Sequence, residues 1–253
     1  MRGPSPGRQS RLRTFRVLGQ TLYHSARIAG RAMAHRLTNE SAQQEIDDWC
    51  AGMMRTARVN LEAFGLEHLR PDTPYVYMSN HMSLLDVPAV FATAPGIIRA
   101  ISKQELRKVP VFGKAMEDLG VVFVDRKNTQ KAIQQLESAK TLLQERGASL
   151  WVAAEGRRSR DGRLYPFKKG GFHVAQQLGI PIVPTWISGT IHVIPPDSWH
   201  SRSDQRVSVH YGAPIETVNI GKENIDALMS ETRGMILQLA KEAGDDDVDA
   251  ATE

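Results

Sequence analysis

A histidine and an aspartate lie five residues apart in the segment 79–86, which reads SNHMSLLD. With His81 in a turn and Asp86 in the first turn of a helix, the carboxylate can accept the proton on one imidazole nitrogen. The other nitrogen is then free to act as a general base toward a hydroxyl group. The spacing has a second interpretation, because Ser83-x-x-Asp86 is also the pattern of a helix capping box. In that case His81 is an ordinary loop residue.

Basic residues follow three other β-rich runs of the chain. They are Lys103 after 97–102, Asp125-Arg126 after 121–124, and Glu155-Gly156-Arg157-Arg158 after 150–153. An arginine donates two charge-assisted hydrogen bonds to a phosphate, and a glycine lets the backbone approach a ligand closely. Each group taken singly is also typical of a solvated loop. Together with the histidine, they favour a site for a phosphorylated substrate.

The elements that carry these residues alternate between β-rich and helical runs from Thr73 onward. Strands are predicted at 75–78, 97–102, 121–124, 150–153, 182–187 and 206–210. Helical patterns occupy 129–145, 171–178 and 224–243. This order predicts an α/β domain with a mixed, largely parallel sheet flanked by helices. Ligands bind at the ends of the strands in such sheets, so the chemistry is expected there.

The composition is that of a globular protein and excludes several classes. The chain has 253 residues, of which 41% are hydrophobic and 24% charged, so we expect one compact domain with an appendage. The single cysteine, Cys50, excludes an internal disulfide framework and a cysteine-clustered zinc site. No run approaches the roughly 18 apolar residues that a membrane-spanning helix needs.

The basic charge is concentrated at the N-terminus. Residues 1–39 contain eight arginines and no lysine, aspartate or glutamate. This arm carries +8, and since the whole chain carries +4, the remainder carries −4. An apolar stripe with helical steps of three or four residues runs along the arm through Phe15, Leu18, Leu22, Ala26, Ala29, Met33 and Leu37. The arm is therefore predicted to be a basic amphipathic helix.

Several interpretations of the arm are open. The absence of acidic residues from the helix favours a location in the membrane interface, where its arginines contact anionic headgroups. The helix can instead pack on its own protein, or serve as an organellar transit peptide. Nucleic acid would also suit the arginines, but the main domain offers no recognisable reading motif. We expect residues 8–38 to contact an anionic membrane surface and the protein to bind no nucleic acid.

A second helix is predicted before the main domain. Ser41 and Gln44 match a capping box at its start, and Gly65 is suited to its C-terminal end. The cluster of aspartates near the C-terminus is typical of a solvated, disordered tail. The predicted organisation is two N-terminal helices over 1–66, an α/β domain over 67–243 and a disordered acidic tail over 244–253.

The ordered motifs between residues 75 and 190 resemble the glycerolipid acyltransferase family, of the 1-acylglycerol-3-phosphate acyltransferase type. Asn80-His81 with Asp86 resembles the first family motif, and Gly120 to Arg126 resembles the second. The block from Lys103 to Gly113 resembles a segment between these two. The third and fourth motifs are matched by Glu155-Gly156-Arg157-Arg158-Ser159 and Ile182-Val183-Pro184.

The resemblance implies a reaction and a role for each matched residue. His81, oriented by Asp86, would deprotonate the sn-2 hydroxyl of lysophosphatidic acid, which attacks the thioester of an acyl-CoA or acyl carrier protein to give phosphatidic acid. The acceptor would be bound by Asn80, Lys103, Arg126, Glu155, Gly156 and Arg158, with the arginines on its phosphate. No acyl-enzyme, metal or cofactor is implied. The enzyme would be monotopic, on the cytoplasmic face of a membrane.

The third motif departs from the family pattern. The family usually reads Phe-Pro-Glu-Gly-Thr-Arg where this chain has Ala153-Ala154-Glu155-Gly156-Arg157-Arg158. Arg157 adds a positive charge, which suits a more anionic or differently placed headgroup. Alternatives are therefore another acceptor, such as glycerol 3-phosphate, a lyso-ornithine lipid or another lysolipid, and a noncatalytic lipid-binding relative.

Overall fold

A computed structural model describes residues 7–125, 135, 147–218, 220–246, 248 and 249. Its α-helices are α1 (Arg11–Met33), α2 (Asn39–Ala57), α3 (Asp86–Thr93), α4 (Phe112–Asp118), α5 (Lys169–Leu178), α6 (Thr190–Val193) and α7 (Ile225–Glu242). Its strands are β1 (Gln9–Ser10), β2 (Val59–Phe64), β3 (Val76–Ser79), β4 (Ile98–Lys103), β5 (Val122–Val124), β6 (Ser149–Ala153), β7 (Ile182–Ser188), β8 (Ser201–Arg202) and β9 (Gln205–Tyr211). Short 3-10 helices occupy Leu66–His68, Gln104–Lys108 and Lys222–Asn224.

A seven-stranded sheet in the order β2-β9-β7-β3-β6-β4-β5 forms the centre of the fold. The five strands from β7 to β5 are parallel, whereas β9 pairs antiparallel with β7 and parallel with β2. The prediction of a mixed, largely parallel sheet flanked by helices is confirmed. All six predicted strands are present, with ends shifted by at most one residue. The predicted helix at 129–145 lies outside the described residues, apart from Gln135.

Helices cover both faces of this sheet. Along β3, Val76 and Met78 point to one face and Tyr77 to the other, and all three are fully buried. The first face packs against α5 and α7, whose Phe172 and Ile236 are also fully buried. The second face packs against α2 and α3. Because both faces are covered, the central strands are continuous apolar runs rather than alternating ones.

The first predicted helix is α1, and its two faces differ. It packs against α2 and α4 and buries Val17, Ser25 and Ile28. Phe15 and Leu22, which belong to the predicted apolar stripe, lie on the other face and are more than half exposed. The helix is therefore attached to its own protein through one face and presents most of the predicted stripe to solvent.

The prediction for the second helix is wrong in its C-terminal part. α2 ends at Ala57, Arg58 adopts the left-handed conformation with φ 56°, and the chain continues as β2. β2 pairs with β9 along its whole length, so the boundary predicted at residue 66 falls within the main domain. Pairing in the sheet outweighs the weak helical preference of this segment. The capping box of α2 is formed by Thr38 and Ser41 rather than by Ser41 and Gln44.

The predicted disorder of the acidic tail is wrong for the residues after α7 that are described. Asp245 is 4% exposed and accepts a hydrogen bond from the indole Nε1–H of Trp186 at 2.9 Å. Val248 is buried in the core, and Asp249 accepts a hydrogen bond from Arg233. A buried indole N–H requires an acceptor, and the tail supplies it.

Asp245→Ala should lower the free energy of unfolding by about 1–3 kcal/mol, because it leaves the buried indole N–H of Trp186 without its acceptor. Glu231→Ala removes an exposed carboxylate of α7 and should change stability by less than about 0.5 kcal/mol. Urea unfolding of both variants and the wild type measures the difference. Equal stability of the Asp245→Ala variant and the wild type would contradict this role for the tail.

Candidate active site

The site is built where β3 ends and the loop to α3 begins. Nδ1 of His81 lies 2.7 Å from Oδ2 of Asp86, the first residue of α3. The same oxygen accepts hydrogen bonds from the backbone N–H groups of Met82 at 2.6 Å and Ser83 at 2.8 Å. The His81 side chain is 19% exposed, whereas that of Asp86 is fully buried. Asp86 therefore orients the imidazole and leaves Nε2 for a substrate. The capping box is not formed, because the N-cap of α3 is Leu85 and no side chain caps this helix.

Thr190 holds the other oxygen of Asp86. Its hydroxyl donates to Oδ1 at 2.5 Å, and the side chain is fully buried. Thr190 follows Gly189, which turns the chain after β7 with φ 84°; a Cβ there would lie 2.2 Å from the carbonyl oxygen of Arg206. Sequence reasoning missed Thr190, because its partner is 104 residues away and no local pattern marks the pair. With Thr190, four hydrogen-bonding groups compensate the burial of the carboxylate.

The loop after β6 holds the backbone of His81 on both sides. The N–H of His81 donates to Oε1 of Glu155 at 3.2 Å, and its carbonyl accepts the N–H of Ser159 at 2.7 Å. Oε2 of Glu155 accepts the N–H of Tyr165 at 3.0 Å. Burial raises the pKa of Glu155 to about 7, although these two N–H groups act in the opposite direction. The ring of Trp151 packs edge-on against the imidazole, with centroids 5.4 Å apart.

Two residues that are predicted to bind the acceptor make buried hydrogen bonds within the protein. Asn80 is 1% exposed, and its amide donates to the carbonyl of Ile187 at 2.9 Å and accepts the N–H of Ile187 at 2.8 Å. It thereby joins the end of β3 to β7. Glu155 is equally buried, with both oxygens bonded to backbone groups. Neither side chain lines the cavity beside His81, and their contact with the acceptor stays a prediction.

That cavity has a volume of about 690 Å³. Apolar side chains of α1, α2, α4 and β4 form most of its wall, Ile28 and Phe112 among them. Lys103, Gly156 and Arg158 line the same cavity as His81, together with Arg157. The volume is in the range of small-molecule sites. A cavity with a large apolar part, an imidazole and several cations suits an amphiphilic, anionic ligand.

Three cations of this cavity, Lys103, Arg157 and Arg158, are exposed at the surface, whereas Arg99 is buried in its wall. Arg157 stacks its guanidinium over the ring of Tyr165 at 4.8 Å, and the Tyr165 hydroxyl donates to Asp161 at 3.0 Å. Gly156 adopts φ 70°, and a Cβ there would lie 3.2 Å from the side chain of Lys168. The structure thus brings Lys103, Gly156 and Arg158 to one place, and their binding of a substrate stays a prediction. Arg126 lies outside the described residues.

The chain resembles known proteins over most of its length. A model of the family described as Acyltransferase matches residues 60–188. The 1-acyl-sn-glycerol-3-phosphate acyltransferase alpha of Mus musculus is 33% identical over 189 residues, which are 74% of this chain and 66% of the mouse protein. The chain therefore spans slightly less than two thirds of that relative.

Two further proteins are similar to this chain. The chloroplastic 1-acyl-sn-glycerol-3-phosphate acyltransferase BAT2 of Brassica napus is 40% identical over 158 residues, covering 60% of this chain and 45% of the plant protein. The crystal structure of the 1-acyl-sn-glycerophosphate (LPA) acyltransferase PlsC from Thermotoga maritima superposes with a TM-score of 0.76 at 23% identity. It covers 92% of this chain and 94% of that one, which shows that the two proteins share a fold.

Glu155→Gln should flatten the pH dependence of stability between about pH 5 and pH 7. The ordinary pKa of the group is 4.5 and the folded value is about 7, so over this range the folded protein holds a proton that the unfolded chain releases. The contribution of Glu155 to stability therefore falls as the pH rises through the interval, and a glutamine removes this decline. Urea unfolding at several pH values measures the slope, with the exposed Glu105→Gln as control. Equal slopes for Glu155→Gln and wild type would contradict the raised pKa.

Proposed function

The chain belongs to the acyltransferase family, and from this premise we propose that it transfers a fatty acyl chain from an acyl thioester to the sn-2 hydroxyl of lysophosphatidic acid. The product is phosphatidic acid, a step of phospholipid biosynthesis. The observation that carries the proposal is the contact of His81 with the buried carboxylate of Asp86 at an apolar cavity that also contains cations. The names of the mouse and Brassica napus relatives support the same acceptor.

In the proposed reaction, His81 is the general base. Its Nε2 accepts the proton of the acceptor hydroxyl while that oxygen attacks the thioester carbonyl carbon. The ester C–O bond forms, the C–S bond breaks, and the proton passes from His81 to the departing thiolate. Asp86 stabilises the imidazolium that exists between these steps. The transfer is direct, with no acyl-enzyme and no metal or cofactor.

Binding of the acceptor phosphate orients the reacting hydroxyl. Arg158 and Lys103 are proposed to bind the phosphate, since both line the cavity that contains His81. Arg126 is proposed to join them, and Gly156 lets the backbone approach the glycerol. Fixing the phosphate away from the reacting oxygen limits the directions from which that oxygen can attack, and this raises the rate.

The donor and the acceptor each have alternatives. Acyl-CoA and an acyl carrier protein present the same thioester to His81, so both are proposed donors. Arg157, held over Tyr165, adds a cation where the family has threonine. This charge favours a more anionic headgroup as a second candidate acceptor, ahead of glycerol 3-phosphate or a lyso-ornithine lipid. The hydrogen-bonded pair of His81 and Asp86 favours an enzyme over a noncatalytic relative, because lipid binding alone does not require a general base.

We propose that α1 attaches the enzyme to an anionic membrane surface as a monotopic protein on the cytoplasmic face. Among the described helices, none has both the length and the apolarity to cross a bilayer. Large apolar side chains on the free face of α1 are 56–83% exposed, namely Leu12, Phe15, Leu22, Tyr23 and Met33. Exposed arginines lie beside them at Arg11, Arg16 and Arg27. An apolar face with arginines at its edges is suited to the headgroup boundary.

Acyl transfer to lysophosphatidic acid in mixed micelles tests the proposed function, with acyl-CoA and acyl carrier protein as separate donors. We expect phosphatidic acid from the wild type and a rate lower by about 10²- to 10⁴-fold for His81→Ala, as for loss of a general base. Folded wild-type protein that makes no product with either donor would exclude this acceptor. A panel of glycerol 3-phosphate, lyso-ornithine lipid and other lysolipids in the same assay then distinguishes another acceptor from a noncatalytic protein.

Thr190→Val should lower kcat about tenfold or more with little change in KM, because Asp86 loses the hydroxyl that helps fix its orientation and that of His81. Thr190→Ser keeps the hydroxyl and should restore most of the activity. Steady-state kinetics of both variants in the same micelles measure the effect. Equal kcat for the valine variant and the wild type would contradict a positioning role for Thr190, as would an equal loss in both variants.

A further inference from the structure

The exposed apolar face of α1 continues onto a loop outside the N-terminal arm. Trp199 lies in the loop between α6 and β8 and is 59% exposed. Its ring stacks on that of Phe15, with centroids 5.8 Å apart and planes inclined by 21°. Phe15 is itself 56% exposed. The two rings therefore cover each other only in part and form one apolar surface in contact with solvent.

The loop is fastened to the N-terminal end of α1. β1 and β8 pair antiparallel, with Ser10 opposite Ser201. The Arg13 guanidinium donates to the carbonyl of Ser201 at 3.3 Å, and Nε of Arg11 donates to Nε2 of His200 at 2.9 Å. These contacts place Trp199 beside Phe15 before any partner is bound. Binding through Phe15 and Trp199 therefore requires little further ordering of the loop, so little conformational entropy is lost.

The stacked pair lies toward one end of a ridge on α1. The ridge consists of exposed apolar or small residues at helical steps of three or four: Leu12, Phe15, Gly19, Leu22, Ala26, Gly30 and Met33. A contiguous exposed apolar surface of this kind marks an interaction site.

The charge around the ridge selects the partner. Residues 8–38 contain no acidic side chain, and Asp197 of the loop forms an ion pair with Arg160 at 3.0 Å. Two copies of this chain that met ridge to ridge would bring arginines against arginines. An anionic bilayer instead offers phosphates to the arginines and an apolar layer to the ridge. Tryptophan suits the headgroup boundary, because its ring is apolar and its indole N–H still finds an acceptor there.

We infer that Trp199, stacked on Phe15, enters the interface of an anionic phospholipid bilayer as a second anchor beside the N-terminal arm. This inference rests on the membrane contact in the proposed function but on none of its chemical steps. A single helix in the interface can rotate about its axis. A second anchor from a different part of the chain fixes that rotation and hence the side of the molecule that faces the bilayer.

Tryptophan fluorescence of the full chain tests the inference. The chain has four tryptophans; Trp151 and Trp186 are buried and Trp49 is half-buried, so Trp199 is the exposed reporter. Vesicles of phosphatidylcholine with phosphatidylglycerol should shift the emission to shorter wavelength, and brominated acyl chains should quench it. Trp199→Phe should abolish most of this quenching, whereas Trp49→Phe should retain it.

Vesicle sedimentation gives the second readout. Trp199→Ala should weaken binding about tenfold, since burial of a large apolar side chain exceeds the 1.4 kcal/mol that a tenfold change represents. Val218→Ala is the matched control, because Val218 is 57% exposed and lies outside both α1 and this loop. It should leave the affinity unchanged.

The results of these experiments distinguish failure of the second anchor from failure of the proposed function. Wild-type protein that sediments with anionic vesicles while its emission stays unchanged and unquenched would overturn the second anchor alone. No sedimentation of the wild type would overturn both membrane contacts, and acyl transfer in micelles would still test the chemistry. A blue shift that follows protein concentration without vesicles would assign the surface to a second copy of the chain and overturn the inference.

Discussion

The buried carboxylate of Asp86 is the constraint on which the site depends. A carboxylate without solvent contact is tolerated only when hydrogen-bonding groups surround it. Here those groups are the backbone N–H groups of Met82 and Ser83, the His81 imidazole and the Thr190 hydroxyl. They come from the loop after β3 and from the start of α6, so the ends of β3 and β7 must lie side by side. The parallel pairing of these two strands satisfies that requirement.

The strand on the other side of β3 adds a second constraint. β6 pairs parallel with β3, and the loop after it bonds to His81 through Glu155 and Ser159. The same loop presents Gly156 and Arg158 to the cavity. His81, the proposed base, and part of the cationic wall of the cavity are therefore held by one loop. α1 is similarly divided, since Ile28 on one face lines the cavity while Leu22 on the other is exposed.

Sequence patterns predicted the features that depend on short spacing. Runs of apolar and β-branched residues located the strands, and the five-residue separation located His81 and Asp86. The features that were missed depend on distant contacts: Glu155 meets the backbone of His81 from 74 residues away, and Asp245 meets Trp186 from 59. When the buried donor lies far along the chain, the sequence alone does not show that a carboxylate is hydrogen-bonded within the protein. Glu155 was therefore interpreted as a substrate ligand, and Asp245 as part of a solvated tail. β2 was mistaken for helix because its pairing partner, β9, lies still further along the chain, with Val59 opposite Gln205.

The role of Asp86 in orienting His81 is tested most directly by determining the tautomer of His81 in the folded wild type. Imidazole ¹⁵N chemical shifts report it, and the His81→Ala variant assigns the signals. We expect the neutral ring to carry its proton on Nδ1, toward Asp86, with Nε2 unprotonated and able to accept the proton of a hydroxyl. A proton on Nε2, or rapid exchange between both tautomers, would contradict the claim that the buried carboxylate prepares His81 as a base.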